Sequence, residues 1–387
     1  MGRLRRIGLG IAILLALLIA WEPTRVAIQT AVLLPNLLGS APTPLTLFSG
    51  APQRSSVAYR PGQNGGDPEL AELWLPSWAS RERPAGAVLL VLGVNNVGRN
   101  HPVVERVADG LARTGLAVLV PDSRTLLEGR LDVGEIDGVV RAYQLLASRP
   151  EVDAGRIGIA GFSVGGSLSL LAARDPRIAG DVRWVNSFGA FADARTYLAS
   201  VAAHAYLDGD DEVSWSPSPL ALQVYLQFME DQVDDPDDRA RLDEAFGAAV
   251  LAGERPAADP ALREELRTEV GRAVHDVLTA DSLAAALAAI GDLPEASQAF
   301  IDVISPIRHL DGLEAGVFLM HETTDHHVPV VESRALAGAL EERGVLREHT
   351  EFRLFDHVQP DDIDLLAAAP EIVKLLLHVR TLLEESL

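Results

Sequence analysis

A chain of 387 residues with 48% hydrophobic and 23% charged residues can bury one large core with an insertion, or two modest domains. Its formal net charge of −22 argues against nucleic acid as a partner, because an acidic surface cannot neutralise phosphates. Cysteine is absent, which excludes disulfides, thiolate metal ligands and a cysteine nucleophile.

The first 40 residues are predicted to direct export. Three arginines, Arg3, Arg5 and Arg6, precede residues 7–21, which carry no charge, and this order is typical of a secretory signal or an N-terminal anchor. The apolar run is shorter than the roughly 20 residues of a comfortable membrane span, yet no cleavage site of small residues closely follows it. We therefore expect an exported protein, anchored in a membrane by its N-terminus or secreted; a buried N-terminal helix is the alternative.

Two further stretches separate this segment from the folded body. Residues 26–38 are apolar and are expected to prolong the N-terminal helix or to lie against the membrane surface. Residues 41–67 are rich in proline, glycine and serine and are predicted to be a linker.

From residue 68 to residue 190, predicted strands and helices alternate. The strands are expected at 70–76, 87–92, 116–121, 157–160 and 182–187, with helices at 101–113 and 133–148. This alternation predicts an α/β protein with a mostly parallel sheet and helices on both faces. Ligands of such sheets bind at the carboxyl ends of the strands.

The stretch RIGIAGFSVGGSLSLLA contains a G-x-S-x-G pattern centred on Ser163. The pattern is weak by itself, but an apolar run typical of a buried strand precedes it and a helix-forming segment follows. A sharp strand-to-helix turn needs small residues and exposes the serine hydroxyl at the carboxyl end of the strand. Ser163 is thus a candidate nucleophile, and an ordinary glycine-rich turn with an incidental serine is the alternative.

Residues 191–304 interrupt the alternation with an almost purely helical pattern, which predicts a helical lid inserted into the α/β domain. Its acid-rich part lacks the ligand spacing and glycine of an EF-hand loop, so no metal site is predicted. Tyr225 and Phe228, three residues apart, are expected to share one helical face and contact substrate, although core packing explains them equally well. The aromatic residues considered for an apolar substrate are Tyr197, Tyr206, Trp215, Tyr225 and Phe228.

The α/β pattern returns in residues 305–387. A predicted strand at 316–320 is followed by Asp325, and a predicted strand ending at 354 is followed by His357. A serine hydroxyl needs a general base and a carboxylate that orients the base, and hydrolases carry them in the order Ser, Asp, His. His326 and His327 flank the acid and are further candidates to line the site.

Three segments, EVDAGRIGIAGFSVGGS, SPIRHLDGLEAGVFLMHETTDHHVP and FRLFDHVQ, resemble the α/β-hydrolase superfamily, nearest its dienelactone hydrolase-like and prolyl oligopeptidase-like branch. The resemblance covers residues 68–190 and 303–385. It implies the α/β-hydrolase fold with a lid, Ser163 as nucleophile, His357 as base and Asp325 as its orienting acid. The family motif H-G-x-x-D-x-x-V-P departs at one position, where glutamate replaces glycine.

The oxyanion hole follows a different sequence from that of the family. Relatives carry a His-Gly pair after the third strand, whereas this chain reads Leu92-Gly93-Val94-Asn95-Asn96. The resemblance implies backbone donors at Val94 and Val164. Asn95 is a candidate side-chain contact for substrate, and stabilisation of its own loop is the alternative.

These observations predict a serine hydrolase that cleaves small-molecule carboxylic esters with an apolar acyl or aromatic group, without a metal or organic cofactor. Two alternatives stay open. One is a prolyl oligopeptidase-like serine peptidase with the same triad, and the other is a catalytically silent hydrolase fold that serves as a binding module.

Overall fold

An eight-stranded sheet forms the centre of the computed structural model, which describes residues 22–38, 44–60, 68–357, 359–360 and 368–387. The three N-terminal arginines and the charge-free run after them, on which the export prediction depends, lie outside these residues. The strands of the sheet are β1 (Gln53–Arg60), β2 (Glu69–Leu75), β3 (Ala85–Val91), β4 (Ala117–Pro121), β5 (Val152–Phe162), β6 (Val182–Phe188), β9 (Gly316–Glu322) and β10 (Leu346–Phe352).

The strand order is β1-β2-β4-β3-β5-β6-β9-β10. Strand β2 runs antiparallel to both of its neighbours, and all the other pairs are parallel. The inner strands are buried on both faces, as the sequence AGAVLLV of β3 illustrates, because helices cover both sides. This is the α/β-hydrolase architecture, and it confirms the predicted fold class.

Helices outside the insertion cover the two faces of the sheet. One face packs against α5, α6 and α14, and the other packs against α1, α3 and α15. These helices and two short ones are α1 (Glu22–Leu37), α2 (Leu45–Phe48), α3 (Pro102–Thr114), α4 (Arg124–Leu127), α5 (Gly134–Ala147), α6 (Val164–Ala173), α14 (Val330–Glu342) and α15 (Ala369–Ser386).

The insertion lies between β6 and β9 and has its own hydrophobic core. It is not purely helical, since strands β7 and β8 form a hairpin that turns at Gly209. Its first helix ends at Ala203, before Tyr206, because His204 adopts a left-handed conformation with φ 53°. Its elements are α7 (Ala194–Ala203), β7 (Ala205–Asp208), β8 (Asp211–Ser214), α8 (Pro219–Glu230), α9 (Pro236–Leu251), α10 (Pro260–Glu265), α11 (Glu269–Leu278), α12 (Leu283–Gly291) and α13 (Glu295–Val303).

Edge strands are where the sequence-based prediction fails. The predicted linker at 41–67 contains α2 and strand β1, which pairs with β2 along its length. The strand predicted at 351–354 is β10, which begins five residues earlier, at Leu346. Both strands lie at an edge of the sheet and carry polar residues on their exposed side, so neither shows the apolar run of an inner strand.

The apolar stretch at 26–38 belongs to the folded body. In α1, Val26 and Leu33 are buried against α3 and α15, and the Gln29 side chain donates a hydrogen bond to the Thr114 carbonyl at 2.7 Å. This packing corrects the expectation that the stretch lies on the membrane surface; the residues that the stretch was expected to prolong lie outside the described ranges. Within the described ranges, every helix is too short or too polar to span a bilayer.

Two short strands lie beyond the sheet, after its last strand. Strand β11 (Phe355–Asp356) pairs antiparallel with β12 (Gln359–Pro360), and His357 lies in the turn between them.

Candidate active site

Ser163 lies at the turn between β5 and α6. Its backbone has φ 54° and ψ −133°, a conformation that is costly for a residue with a side chain and that typically occurs at functional sites. The turn is possible because Gly165 has no side chain: a Cβ there would lie 2.4 Å from the Val91 carbonyl oxygen. The Ser163 amide donates to the Phe188 carbonyl at 2.8 Å, which ties the turn to β6. Ser163 therefore occupies the exposed strand-to-helix position of a nucleophile elbow.

The predicted acid and base are in contact. His357 Nδ1 lies 2.5 Å from Asp325 Oδ2, and both residues are buried. The second carboxylate oxygen, Oδ1, accepts hydrogen bonds from the amides of His327 at 2.6 Å and Val328 at 3.0 Å. The carboxylate is thus immobilised, and it fixes which ring nitrogen of His357 carries the proton.

Asp325 is held in its charged form. Burial opposes its charge, but His357 and His321 outweigh burial and keep the pKa of Asp325 far below its usual value. His321 Nε2 lies 3.4 Å from Asp325 Oδ2 and donates to the Val328 carbonyl at 2.9 Å. Burial lowers the pKa of His321, yet its contact with Asp325 raises it above the ordinary value overall. A carboxylate that stays ionised can stabilise an imidazolium that forms during reaction.

Glu322 is a residue whose role the sequence did not disclose. Its side chain is buried, and Oε2 accepts the amides of Leu354 at 2.7 Å and Phe355 at 2.9 Å. Oε1 accepts the Thr324 hydroxyl at 3.2 Å. Glu322 thereby joins the loop of Asp325 to the segment that carries His357. The signal for this role was the departure from the family motif, since this glutamate stands where relatives have glycine.

Ser163 and His357 line one cavity, but the hydrogen bond between them is not formed. His357 Nε2 is buried and has no hydrogen-bond partner among the residues the structure describes. Catalytic hydrogen bonds in ligand-free sites are often open and close only around substrate. Within the described part of the chain, the base thus has an acceptor nitrogen without a partner, in a residue that lines the same cavity as the serine.

The predicted oxyanion loop passes directly against the nucleophile. A Cβ on Gly93 would lie 2.7 Å from Ser163 Cβ, so only glycine permits this approach. Val94 and Val164 line the same cavity as Ser163, and the Val164 amide lies in the first turn of α6, where amides have no intrahelical acceptor. Both residues thus border the cavity that Ser163 lines, and their roles as oxyanion donors stay predictions.

The Asn95 side chain holds its own loop. Its amide nitrogen donates to the Gly93 carbonyl at 3.2 Å, and its oxygen accepts from the amides of Val97 and Gly98. Asn95 also lines the cavity, but these bonds engage both ends of its side chain. Its predicted contact with substrate stays a prediction.

The insertion contributes one wall of the cavity. Tyr225 and Phe228 of α8 both line it, and both also belong to the core of the insertion. The Tyr225 hydroxyl donates to the Val277 carbonyl at 3.2 Å, and the Phe228 ring lies 5.5 Å from Phe300. Trp215 provides a further link, since its indole nitrogen donates to the Asp325 backbone carbonyl at 2.8 Å.

The two histidines beside the acid differ in position. His327 lines the cavity and stacks on His357, with ring centroids 4.6 Å apart and planes 14° from parallel. His326 is exposed and contacts the Ser216 carbonyl at 2.8 Å. The ligand atoms of Asp325, His327 and His357 lie within 4.8 Å of one another, so they are the described residues best placed to share a cation. Both Asp325 oxygens already accept hydrogen bonds, which fits the orientation of an imidazole better than metal ligation.

Comparisons with known proteins yield likeness of structure only, because no protein-family model and no curated protein matches the sequence. A hyperthermophilic esterase from Pyrobaculum calidifontis is 15% identical, with a TM-score of 0.47, over 93% of this chain and 90% of that one. A dienelactone hydrolase from Anabaena variabilis is 14% identical, with a TM-score of 0.44, over 87% and 100%. A putative dipeptidyl aminopeptidase IV from Bacteroides ovatus is 13% identical, with a TM-score of 0.49, over 87% of this chain.

The chain spans 36% of the length of that aminopeptidase and less than half of the other peptidases that it matches. These likenesses are too weak to transfer an activity or a substrate.

Proposed function

We propose that this chain, which has the α/β-hydrolase fold, is a serine hydrolase that cleaves carboxylic esters through an acyl-enzyme. The observation that carries the proposal is the joint placement of Ser163 at a strained strand-to-helix turn and of a buried His357–Asp325 pair on the same cavity. A structural serine would not need this backbone strain, and a surface histidine would not need a buried carboxylate partner.

The proposed reaction has two halves, acylation of Ser163 and hydrolysis of the acyl-enzyme, and His357 acts as base and then as acid in each. The Ser163 hydroxyl attacks the acyl carbon while His357 Nε2 takes its proton, and the amides of Val94 and Val164 stabilise the oxyanion. His357 then gives the proton to the departing alcohol, which leaves the acyl group on the serine. Water attacks the acyl-enzyme and gives a proton to His357. His357 returns that proton to the Ser163 oxygen as the carboxylic acid leaves, which restores the free serine and the neutral base.

The cavity supports an apolar ester as substrate. Its volume is about 760 Å³, and its walls are chiefly aliphatic and aromatic. Pockets of roughly 300–1,000 Å³ suit small organic ligands, which are bound mainly by apolar contact with a few polar groups for orientation.

Labelling with a fluorophosphonate tests the nucleophile. We expect the unaltered protein to be labelled and Ser163→Ala to lose both labelling and ester turnover. Ser167→Ala, four residues further along α6, should retain both because its hydroxyl donates to the Phe191 carbonyl and does not line the cavity among the residues described. Full labelling of Ser163→Ala would refute the assignment.

A substrate panel then separates the candidate activities. Faster cleavage of esters than of peptide anilides supports the proposal, and the reverse ranking favours the serine peptidase. No labelling and no turnover of either class would favour the silent binding module.

The proposal also includes a location outside the cytoplasm, through a membrane anchor or secretion. Its support is the sequence alone, in which Arg3, Arg5 and Arg6 precede the uncharged residues 7–21. Fractionation of expressing cells provides the test. Recovery of the full-length protein entirely in the cytoplasmic fraction would contradict both the membrane anchor and secretion.

A further inference from the structure

The cavity extends well beyond the catalytic residues, along the face of the sheet that α1, α3 and α15 cover. It runs from Phe188, whose carbonyl holds the Ser163 amide, to Trp184 near the other end of β6. Four residues of a strand span about 13 Å. We call this part of the cavity the sheet-side arm; its walls include Val88, Leu90, Leu111, Trp184, Asn186 and Val379.

The far end of the sheet-side arm is closed. Leu33 of α1, Leu383 of α15 and Trp184 all line it, and each exposes 3% of its surface or less. The arm therefore has no second opening at these residues, and a ligand would enter from the side of Ser163.

The polar groups in the arm are satisfied by the protein itself. The Asn186 side-chain oxygen accepts from His378 Nε2 at 2.9 Å, and its nitrogen faces the Met320 sulfur at 3.5 Å. The Trp184 indole donates to the Ser386 hydroxyl at 2.9 Å. These groups already have hydrogen-bond partners, so they offer none to a polar ligand. An apolar ligand could bind beside them without breaking these hydrogen bonds.

Protein cores are close-packed, and an apolar space beside a nucleophile is unfavourable when empty and poorly suited to water. The arm follows one strand and is closed at its Trp184 end, an arrangement that suits an unbranched hydrocarbon chain. The opposite side of the cavity, bounded by α8, is the one that the insertion covers.

We infer that the sheet-side arm binds the long unbranched acyl chain of the ester, an inference that rests on the proposed function. The alcohol leaves first and must diffuse out, whereas the acyl group stays on Ser163 until water attacks. A blind arm suits the group that stays. The substrates are therefore esters of long-chain fatty acids.

A series of p-nitrophenyl esters from acetate to palmitate measures how long an acyl chain the arm can hold. Burial of each added methylene should raise kcat/KM by up to about fourfold until the arm is filled. Val379→Trp, which places an indole in the wall of the arm, should lower kcat/KM for palmitate at least tenfold and leave acetate within about twofold. Leu377→Trp on the same helix is the matched control, because Leu377 is 55% exposed, and it should leave both esters unchanged.

An unchanged palmitate-to-acetate ratio in Val379→Trp would overturn the inference. If Val379→Trp loses activity on acetate as well, the second variant is Leu111→Phe, on the wall formed by α3. A lower palmitate-to-acetate ratio of kcat/KM in that variant supports the inference, and an unchanged ratio overturns it.

A binding measurement keeps this inference separate from the proposed hydrolysis. Ser163→Ala protein should bind the fluorescent fatty acid cis-parinaric acid saturably, with displacement by palmitate, and Val379→Trp added to it should abolish that binding. Such binding supports the arm even if no ester is cleaved, which would count against the hydrolase alone. Absence of saturable binding would overturn the arm.

Discussion

The α/β core and the helical insertion meet at one cavity, but they hold their residues there in different ways. In the core, buried carboxylates accept several backbone amides each: Asp325 holds its own loop and Glu322 holds the segment before His357. In the insertion, aromatic and aliphatic side chains around Tyr225 and Phe228 pack together. Hydrogen bonds to a charged group fix both the position and the orientation of the residues they join, whereas apolar contacts are not directional and fix only the space that the side chains fill. The core is thus suited to chemistry and the insertion to shape.

Glu332 stands at the junction of the two regions. This buried residue of α14 accepts the amides of Ala192 at 2.9 Å and Asp193 at 3.1 Å, and the hydroxyl of Thr196 at 2.7 Å, at the start of the insertion. Burial raises its pKa despite these bonds. Glu332 therefore anchors the insertion, and Glu322 anchors the segment that carries the base. The same substitution at each residue allows the two anchors to be compared directly.

The largest effect is expected in the core, at the base. His357→Ala should lower kcat for ester hydrolysis by about 10⁴-fold, because the serine loses its proton acceptor. His326→Ala, an exposed histidine one residue after Asp325, should leave kcat within about twofold. Steady-state kinetics on a short ester measures both. Equal losses in the two variants would show that the chemistry does not depend on His357.

A smaller effect should separate the two anchoring carboxylates. Glu322→Gln keeps the size but cannot accept all of its present hydrogen bonds, so we expect kcat to fall roughly tenfold for every ester with KM little changed. Glu332→Gln should instead change KM and the ranking of esters, with kcat on a short ester preserved. Kinetics on short and long esters tests the contrast. The same changes of kcat and KM in both variants would show that Glu322 does not act specifically on the chemistry, nor Glu332 specifically on substrate selection.

The walls of the insertion should affect selectivity more modestly. Leu220 lines the cavity but is 42% exposed, so Leu220→Ala should change the relative kcat/KM of esters with bulky and small alcohols by about three- to fivefold at little cost in stability. Phe228→Ala should change the same ratio and also lower the free energy of unfolding by about 3–5 kcal/mol. Substrate profiles and urea unfolding measure the two effects. An equal fall of kcat/KM for all esters would show that the insertion does not take part in substrate recognition.

The smallest effect concerns the stability of the insertion at different pH. Burial, with a further contribution from Asp243, raises the pKa of Glu230 to about 7 from an ordinary value of 4.5. Between these values the folded chain binds more protons than the unfolded chain, so Glu230 makes stability fall as pH rises from about 4.5 to 7.

Glu230→Gln should remove this dependence and raise Tm at pH 8 by about 1 °C, corresponding to about 1 kcal/mol. Glu244→Gln, an exposed glutamate on α9, is the control and should leave the pH profile of Tm unchanged. Parallel profiles for both variants and the unaltered chain would contradict the assignment.

Much of the fold could be predicted because its signals are local. Inner strands such as β3 are continuous apolar runs, and the helices outside the insertion show apolar residues at a helical period. Prediction failed at β1, β10 and the hairpin β7–β8, where strands are short or lie at an edge and partner strands rather than apolar side chains define them.

The sequence by itself determined which residues are the candidates for chemistry. Ser163 is marked by a glycine-rich turn between a strand and a helix, and Asp325 and His357 follow later strands in hydrolase order. Parallel strands end at one edge of a sheet, so residues just past those ends converge without further information.

Only the tertiary structure decided what surrounds those candidates. The bond of Glu322 to the Leu354 amide joins residues 32 positions apart, and that of Trp215 to the Asp325 carbonyl joins residues 110 positions apart. The sheet-side arm likewise depends on α1 and α15, from the two ends of the chain, packing over one face of the sheet. Such contacts follow from three-dimensional packing, which no local pattern of residues encodes.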